Sequence, residues 1–175
     1  LENGMGTGEV RLHTRVAALR LSRLALECSR SYGELDVGKG EGGGSLRQEH
    51  LQGILDQVGD IMTIGCMAVG QASSELQREG LLLLQIIVDT FGLVSDPNPD
   101  MEGSLLLDQY IGQLTSTVRT ALKVKKGERG EELAPAPDTF RAAVTVTSSI
   151  LSSILRYDKV ALQRLFGLMS SPLMI

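Results

Sequence analysis

The chain has 175 residues, of which 42% are hydrophobic and 22% are charged. These fractions are typical of a globular protein, and a chain of this length can bury a core without metals or disulfides. Its 17 basic and 21 acidic residues give a net charge of −4, which provides no basic surface for nucleic acid or for an anionic membrane. With three Tyr, three Phe and no Trp, the core is expected to be aliphatic, as in packed helices.

The two cysteines, Cys28 and Cys66, stand alone within apolar helical patterns. Without CxxC spacing they predict a reducing compartment and two buried, inert thiols rather than a disulfide. No apolar run approaches the roughly 18 residues that are needed to cross a bilayer. The chain begins at Leu1, shows no signal-peptide pattern and stops in the apolar stretch 172–175. These features predict a fragment of a longer protein.

Helices and no strand are predicted, because apolar residues recur every three to four positions. The six predicted helices cover about residues 9–31, 46–71, 73–91, 104–123, 138–156 and 158–169, with loops near 33–45, 94–103 and 124–138. Ser74 with Gln77 predicts a capping box, Gly92 a C-cap and Asp138 an N-cap. The glycines of the second helix predict a close helix approach or a bend; they are Gly53, Gly59 and Gly65.

An internal repeat follows from aligning Arg15, Arg78 and Arg141, which are spaced by 63 residues both times. A small residue lies two positions later in each copy: Ala17, Gly80 and Ala143. An apolar pair lies nine and ten positions later, as Leu24-Ala25, Ile87-Val88 and Ile150-Leu151, and Cys28, Phe91 and Ile154 lie thirteen positions later. The alternative is that aliphatic helices match one another by chance.

An Arg followed by small and aliphatic residues, in the second helix of a pair, is typical of HEAT repeats. We therefore predict an all-α solenoid of HEAT-like antiparallel helix pairs, with residues 1–175 as a single segment of a larger solenoid. Helices two and three should pair, as should four and five. The residues predicted to be buried are Leu19, Leu24, Leu84, Ile87, Phe91, Val144, Ile150 and Ile154. Those predicted to be exposed on the end helices are Leu12, Val16, Leu165 and Leu168.

Three segments indicate a particular family of HEAT-repeat proteins. They are LQREGLLLLQIIVDTF at 76–91, VSDP at 94–97 and LLDQY at 106–110. In this order they resemble the HEAT repeat-containing protein 5 family, in which a helix ending in Phe, a V-x-[ED]-P loop and an [IL]-L-[ED]-Q-Y helix recur. The resemblance is best over residues 51–165. It departs in the Gly-rich linker and at residues 125–132, where loop length and composition vary freely.

The resemblance implies a very large cytosolic solenoid that acts as a non-catalytic protein-binding scaffold. It further implies vesicle trafficking between the trans-Golgi network and endosomes, with the clathrin adaptor AP-1 and its associated factors as partners besides neighbouring repeats. The implied location is cytoplasmic, peripheral to Golgi and endosomal membranes, without nucleic acid or membrane insertion. The alternatives are a HEAT scaffold of another system, such as nuclear transport or phosphatase assembly, and a helical nucleotide-dependent enzyme.

Four local patterns could have signalled chemistry, and each has a simpler structural interpretation. Residues 33–40 come within one residue of a Walker A motif but lack the preceding strand, so a flexible loop is expected. The histidines and cysteines lack short-range ligand spacing for zinc; they are His13, His50, Cys28 and Cys66. Hydroxyl residues crowd the fifth helix without a histidine base, and the basic cluster Lys123, Lys125, Lys126 and Arg129 is offset by neighbouring glutamates. We therefore assign no catalytic, cofactor or metal residues.

Tyr32, Tyr110 and Tyr157 are the only amphipathic aromatic residues that could anchor a partner. Tyr110 belongs to the family-like LLDQY stretch. For this residue a packing role is expected, with a partner contact as the alternative.

Overall fold

A computed structural model of the chain describes residues 7–31, 45–96, 98–101, 103–123, 125–126, 132–153, 163 and 167. Five α-helices lie in these ranges: α1 (Thr7–Ser31), α2 (Ser45–Val69), α3 (Ser74–Phe91), α4 (Ile111–Leu122) and α5 (Pro137–Ser152). Two 3-10 turns, Pro99–Met101 and Asp108–Tyr110, precede α4. Between α4 and α5 lies a two-rung antiparallel ladder of β1 (Lys125–Lys126) and β2 (Glu132–Leu133). The described chain is therefore almost entirely helical, as predicted.

Helices α2 and α3 form an antiparallel hairpin around residues 70–73. Gly65 of α2 lies against Leu84 of α3, whereas Val69, nearer the turn, lies against Gly80. Ser73 caps α3, because its hydroxyl oxygen accepts a hydrogen bond from the backbone N–H of Leu76 at 3.4 Å. The predicted pairing of the second and third helices is confirmed.

The two helices of this hairpin approach closely where glycines face each other. A Cβ atom at Gly80 would lie 2.8 Å from the carbonyl oxygen of Gly65 and 2.9 Å from the Cβ of Ala68. A Cβ atom at Gly65 would lie 2.8 Å from a methyl carbon of Leu84. At Gly80 the close atom is a backbone oxygen, so the two helices can keep this distance only with glycine there, whereas at Gly65 the close atoms belong to the flexible side chain of Leu84. The predicted close approach is confirmed at Gly65, whereas Gly53 has open space around it.

Helices α3 and α5 lie side by side and run in the same direction. Near their N-termini, the Thr139 hydroxyl donates to the carbonyl oxygen of Ser74 at 3.3 Å, across 65 residues of sequence. Near their C-termini, Gly92 meets Ser153, and a Cβ atom at Gly92 would lie 2.7 Å from the Ser153 hydroxyl oxygen. These two contacts span 65 and 61 residues and so bracket the predicted repeat of 63. Residues about 63 positions apart in the sequence therefore lie side by side on α3 and α5, as the predicted repeat requires.

Helices α2 and α4 are related in the same way. Tyr110 is the residue immediately before α4, and a Cβ atom at Gly59 of α2 would lie 2.5 Å from its hydroxyl oxygen. Further along both helices, Cys66 meets the side chains of Gln113 and Thr117. Since α2 runs parallel to α4, and α3 parallel to α5, the hairpin of α2 and α3 is stacked on a second hairpin of α4 and α5. The predicted pairing of the fourth and fifth helices is confirmed.

Helix α1 packs against α3 with one face only. Its most buried apolar residues are Val16, Leu19 and Leu26, which are spaced by three and seven positions. The residues that the repeat alignment placed in the core, Leu24 and Cys28, are exposed. Among the described residues, α1 has α3 as its one extensively contacting helix, so the opposite face stays uncovered.

The predicted core is largely confirmed outside α1. Leu19, Leu84, Ile87, Phe91 and Ile150 are buried, and Val144 is half-buried against the core. Leu24 is 47% exposed, so its predicted burial is wrong. Of the residues predicted to be exposed, Val16 is buried and Leu12 is half-buried, because both face α3. Ile154, Leu165 and Leu168 lie outside the described residues, as does nearly all of the sixth predicted helix.

Three predicted helix ends differ from the structure. Helix α4 begins at Ile111 rather than at residue 104, because Leu105 forms an isolated β-bridge with Ser95 and the 3-10 turn Asp108–Tyr110 follows it. The Leu106 N–H donates to the Val94 carbonyl at 2.8 Å. Asp138 is not the N-cap of α5, since Pro137 already occupies the first turn and Ala136 the cap position. Gln77 forms no capping box with Ser74; its side-chain amide donates to the carbonyl oxygen of Gln71 at 2.6 Å.

Gly92 ends α3 for a reason other than the predicted one. Its φ angle is −64°, so it does not adopt the left-handed conformation for which glycine is favoured at a helix end. Glycine is needed there because Ser153 of α5 leaves no room for a side chain. None of the helices within the described residues has both the length and the apolar character that crossing a bilayer requires.

The glycine contact gives a paired stability test. We expect Gly80→Ala to lower the free energy of unfolding by about 1–3 kcal/mol, because the added methyl group would overpack the interface with Gly65 and Ala68. Gly53→Ala should instead raise it by about 0.5–1 kcal/mol, since Gly53 is an exposed helical position with open space. Urea denaturation of both variants measures the difference. Equal effects of the two substitutions would contradict the close approach.

Tyr110 gives a second stability test. Its ring is half-buried against the core and its hydroxyl reaches Gly59, which supports the predicted packing role. We expect Tyr110→Ala to cost about 2 kcal/mol in the free energy of unfolding, less than a fully buried aromatic residue would. The neighbouring exposed residue gives the control, because Gln109→Ala should leave the thermal unfolding curve nearly unchanged. An unchanged curve for Tyr110→Ala would favour the partner-contact alternative.

Candidate protein-binding surface

A concave surface of the described residues lies between α1 and α2, as a groove with a volume of about 540 Å³. Its walls are formed by Arg15, Ala18 and Ser22 of α1, by Ile64 and Met67 of α2 and by Gln71 of the following turn. Buried Leu19, Ala68 and Leu76 form its floor. The α1–α2 groove is thus a cleft between helices with an apolar floor, which suits the side chains of another helix.

Apolar side chains on the α2 wall are unusually exposed. Met67 is 63% exposed and Ile64 is 52% exposed, although both belong to a helix whose other face is buried against α3. The α1 wall contributes small side chains, Ala18 and Ser22, which let another backbone approach. Contiguous exposed apolar surface of this kind marks a site of interaction with protein.

A second apolar surface, the outer stripe, lies on the face of α1 opposite α3. Val10, Leu21 and Leu24 are exposed there, and Ala17 and Cys28 share the same helical face. Their spacing of seven, four, three and four positions keeps them on one side of an α-helix. Helix α1 therefore has apolar residues on two faces, of which one is buried and the other is free among the described residues.

The joint between α1 and α3 is built around the carboxylate of Glu79. This side chain is 3% exposed, and its Oε1 atom accepts hydrogen bonds from Nε of Arg20 at 3.1 Å and from Nη1 of Arg78 at 3.4 Å. Nε of Arg23 lies 3.9 Å from Oε2, which is an ion pair without a hydrogen bond. Because a buried carboxylate is costly unless it is paired, the two arginines of α1, Arg20 and Arg23, fix where α1 sits on α3.

Arg20 links two glutamates of α3 at once. Its Nη2 atom donates to Oε1 of Glu75 at 2.9 Å, in addition to the bond with Glu79. The hydrogen bond and the charge of Glu79 raise the pKa of Arg20 above its usual value, with a smaller contribution from Glu75. Since arginine is already charged at every accessible pH, titration of Arg20 should not weaken the contact between α1 and α3.

Sequence reasoning missed Glu79, because the repeat alignment treated Arg78 as the marked position. A signal was present in the sequence: Glu79 shares a helical face with Leu76 and Leu83, which lie three residues before it and four residues after it. Arg20 and Arg23 lie one turn apart on α1 and can reach the same partner. Which helix they reach depends on how the helices stack, and that is a tertiary property.

The structure does not bring the predicted metal candidates together. His13 and Cys28 are exposed on α1, whereas Cys66 is half-buried on α2, and both cysteines are free thiols. The described part of the chain contains no group of three or more His, Cys, Asp or Glu residues able to hold a metal ion. The His50 side chain and the Walker-like loop lie outside the described residues.

The prediction of two buried thiols is wrong for Cys28, which lies on the outer stripe. Cys66 is packed against the core, and burial raises the pKa of its thiol, while Thr117 and Gln113 oppose this shift. A raised pKa keeps the Cys66 thiol protonated and poorly reactive near neutral pH. The two cysteines therefore differ in accessibility although their sequence contexts are alike.

The hydroxyl residues of α5 bond back to their own helix, as their sequence pattern indicated. Thr147 is fully buried and donates to the carbonyl oxygen of Ala143 at 2.7 Å, and Thr145 donates to that of Arg141 at 3.0 Å. In the basic cluster, Lys123 is exposed, Lys125 and Lys126 form β1, and Arg129 lies outside the described residues. Neither group forms a reactive arrangement in the part of the chain that the structure describes.

The Glu79 joint can be tested with two neighbouring glutamates. We expect Glu79→Gln to lower the melting temperature more than Glu75→Gln does. The first change leaves three arginines facing a buried neutral side chain, whereas the second affects a carboxylate that is about 40% exposed. Differential scanning calorimetry of both variants measures the effect. Equal losses would show that burial of Glu79 is not what makes its charge important.

Comparisons with known proteins agree with this architecture. Residues 54–174 match the model of a family described as the Laa1/Sip1/HEATR5 HEAT repeat region. The chain is also 32% identical over 166 residues to Protein SWEETIE of Arabidopsis thaliana, a match that covers 94% of this chain and 7% of that relative. No solved structure matches the chain significantly. The predicted resemblance is confirmed, and the chain belongs to the family of the Laa1/Sip1/HEATR5 HEAT repeat region.

Proposed function

We propose that this chain is a non-catalytic, protein-binding segment of a large HEAT-repeat scaffold in vesicle trafficking between the trans-Golgi network and endosomes. Its proposed partners are the clathrin adaptor AP-1 and associated factors, at the cytoplasmic side of these membranes. Membership of the Laa1/Sip1/HEATR5 family is the observation that carries the proposal. The resemblance of residues 76–110 to HEAT repeat-containing protein 5 supplies the trafficking role.

The architecture supports the scaffold part of this proposal. Two helical hairpins stack in parallel and present elongated helix faces, which is how solenoids bind protein partners. The concave surface between α1 and α2 is apolar, and its wall carries one charged side chain, Arg15. A nucleotide-dependent enzyme is the alternative, and its site would instead gather titratable groups around the nucleotide.

The partner can be tested with the full-length protein that contains this segment. We expect the tagged protein, captured from cell extract, to retain AP-1 subunits above the level seen with the tag alone. Mass spectrometry of the captured material measures this enrichment. Capture of nuclear-transport cargo or of a phosphatase core without AP-1 would contradict the trafficking role and favour a HEAT scaffold of another system.

A further inference from the structure

Helix α1 has apolar residues on two opposite faces. The face buried against α3, here called the inner face, contains Val16, Leu19 and Leu26. An α-helix turns by about 100° per residue, so the residue two places earlier lies roughly 160° away around the helix axis. On the outer stripe, Leu24 is in this relation to Leu26, and Ala17 to Leu19. Apolar surface can therefore be buried on either face of α1, and a further contact has to distinguish them.

The surface of α3 that α1 covers contains the buried charge of Glu79. Its side chain is 3% exposed and shares a helical face with the buried residues Leu76 and Leu83. Nε of Arg20 lies 3.1 Å from Oε1 of this carboxylate, and Nε of Arg23 lies 3.9 Å from Oε2. The observed packing of α1 thus brings two cations to an acidic side chain that lies on an otherwise apolar surface.

A rotated α1 would deprive this carboxylate of both cations. With the outer stripe against α3, Leu21 would take the place of Arg23, because it lies two residues earlier in the chain. Ala18 would take the place of Arg20 in the same way. Arg78 of α3 would then be the remaining partner of the carboxylate among the described residues. Since a buried charge that loses its partners is strongly unfavourable, the rotated packing is penalised and the observed one is not.

The pairing of the arginines indicates a role in selection rather than in strength of binding. Arg20 also donates to Glu75 at 2.9 Å. Arg23 likewise donates to Glu27 at 2.8 Å, so both arginines keep a carboxylate when Glu79 is replaced. Oε2 of Glu79 is buried and forms no hydrogen bond with the described residues. A contact of this kind is an imperfect source of stability, whereas buried ionic groups can fix orientation and register.

We propose that Glu79 selects which apolar face of α1 packs on α3. Its carboxylate accepts the inner face, which brings Arg20 and Arg23, and rejects the outer stripe, which offers it no cation. The selection also sets the direction in which the outer stripe and the α1–α2 groove face, and with it the protein-binding surface on this side of the described chain. The proposal does not depend on which partners the whole protein binds.

The selection can be tested by removing the charge and probing both faces of α1 with thiols. Glu79→Leu is compared with the control Glu75→Leu, because the Glu75 carboxylate also pairs with α1 but is 41% exposed. Cys28 reports on the outer stripe in a Cys66→Ala background. Leu19→Cys, made with Cys28→Ser and Cys66→Ala, reports on the inner face. Maleimide labelling rates of both thiols are measured in the 175-residue chain.

We expect Glu79→Leu to slow the labelling of Cys28 about twofold and to speed that of the Leu19→Cys thiol at least about fivefold. The labelling rate follows the fraction of molecules in which a thiol is exposed, and two equally populated packings expose each thiol half of the time. Glu75→Leu should change neither rate.

Three other patterns would overturn the proposal. Unchanged rates at both thiols would show that apolar packing selects the face without Glu79. Faster labelling of both thiols in a folded variant would show that Glu79 holds α1 on α3 whichever face it presents. Slower labelling of Cys28 alone would show that another copy of the chain covers the outer stripe, which then has not turned inward.

A second variant replaces Glu79→Leu if circular dichroism shows that the latter is unfolded. Arg20→Gln combined with Arg23→Gln keeps Glu79 but removes the cations that distinguish the two faces. Both arginine side chains are partly exposed, at 45% and 26%, so the chain should tolerate the change. The same opposite changes at Cys28 and at the Leu19→Cys thiol are expected. Unchanged rates in this variant would overturn the proposal as well.

Discussion

The enclosure of α3 by three neighbouring helices is the constraint on which the rest of the structure depends. Eleven of its 18 residues are buried, and α1, α2 and α5 each cover a different side. Such a helix has room for neither a bulky residue at the closest crossing nor an unpaired charge. At the crossing with α2, Gly80 supplies the required small residue. At the contact with α1, the arginines around Glu79 pair with its buried charge.

The same enclosure explains how the array extends. Because α3 and α5 run parallel, the two hairpins have the same orientation. The surface by which the α4–α5 hairpin could contact a further hairpin therefore resembles the surface by which the α2–α3 hairpin contacts α4 and α5. Ser74 with Thr139 and Gly92 with Ser153 keep the two helices in register at both ends. Binding surface in such an array grows with the number of hairpins and does not require a single deep pocket. This is consistent with membership of a HEAT-repeat family.

Helix α1 differs from α3 because, among the described residues, α3 is the one helix that covers it extensively. Helix α1 carries apolar residues on two faces, and α3 buries one of them. The buried face contains Val16 and Leu19, whereas Leu21, Leu24 and Cys28 remain exposed. The repeat alignment assumed that equivalent positions in α1, α3 and α5 would be equally buried. That holds for Gly80 and Ala143, which are buried, and fails for Ala17, which is exposed.

The sequence by itself determined the helical class, the pairing of helices and the 63-residue repeat, because apolar periodicity and small residues are local properties of the chain. It also determined the family, through the segments at 76–91, 94–97 and 106–110. Only the tertiary structure decided which face of α1 is buried, that Glu79 joins α1 to α3, and that Gly92 is needed for contact with Ser153. Each of these depends on which helix lies opposite, and periodicity cannot specify a neighbour that is distant in the chain.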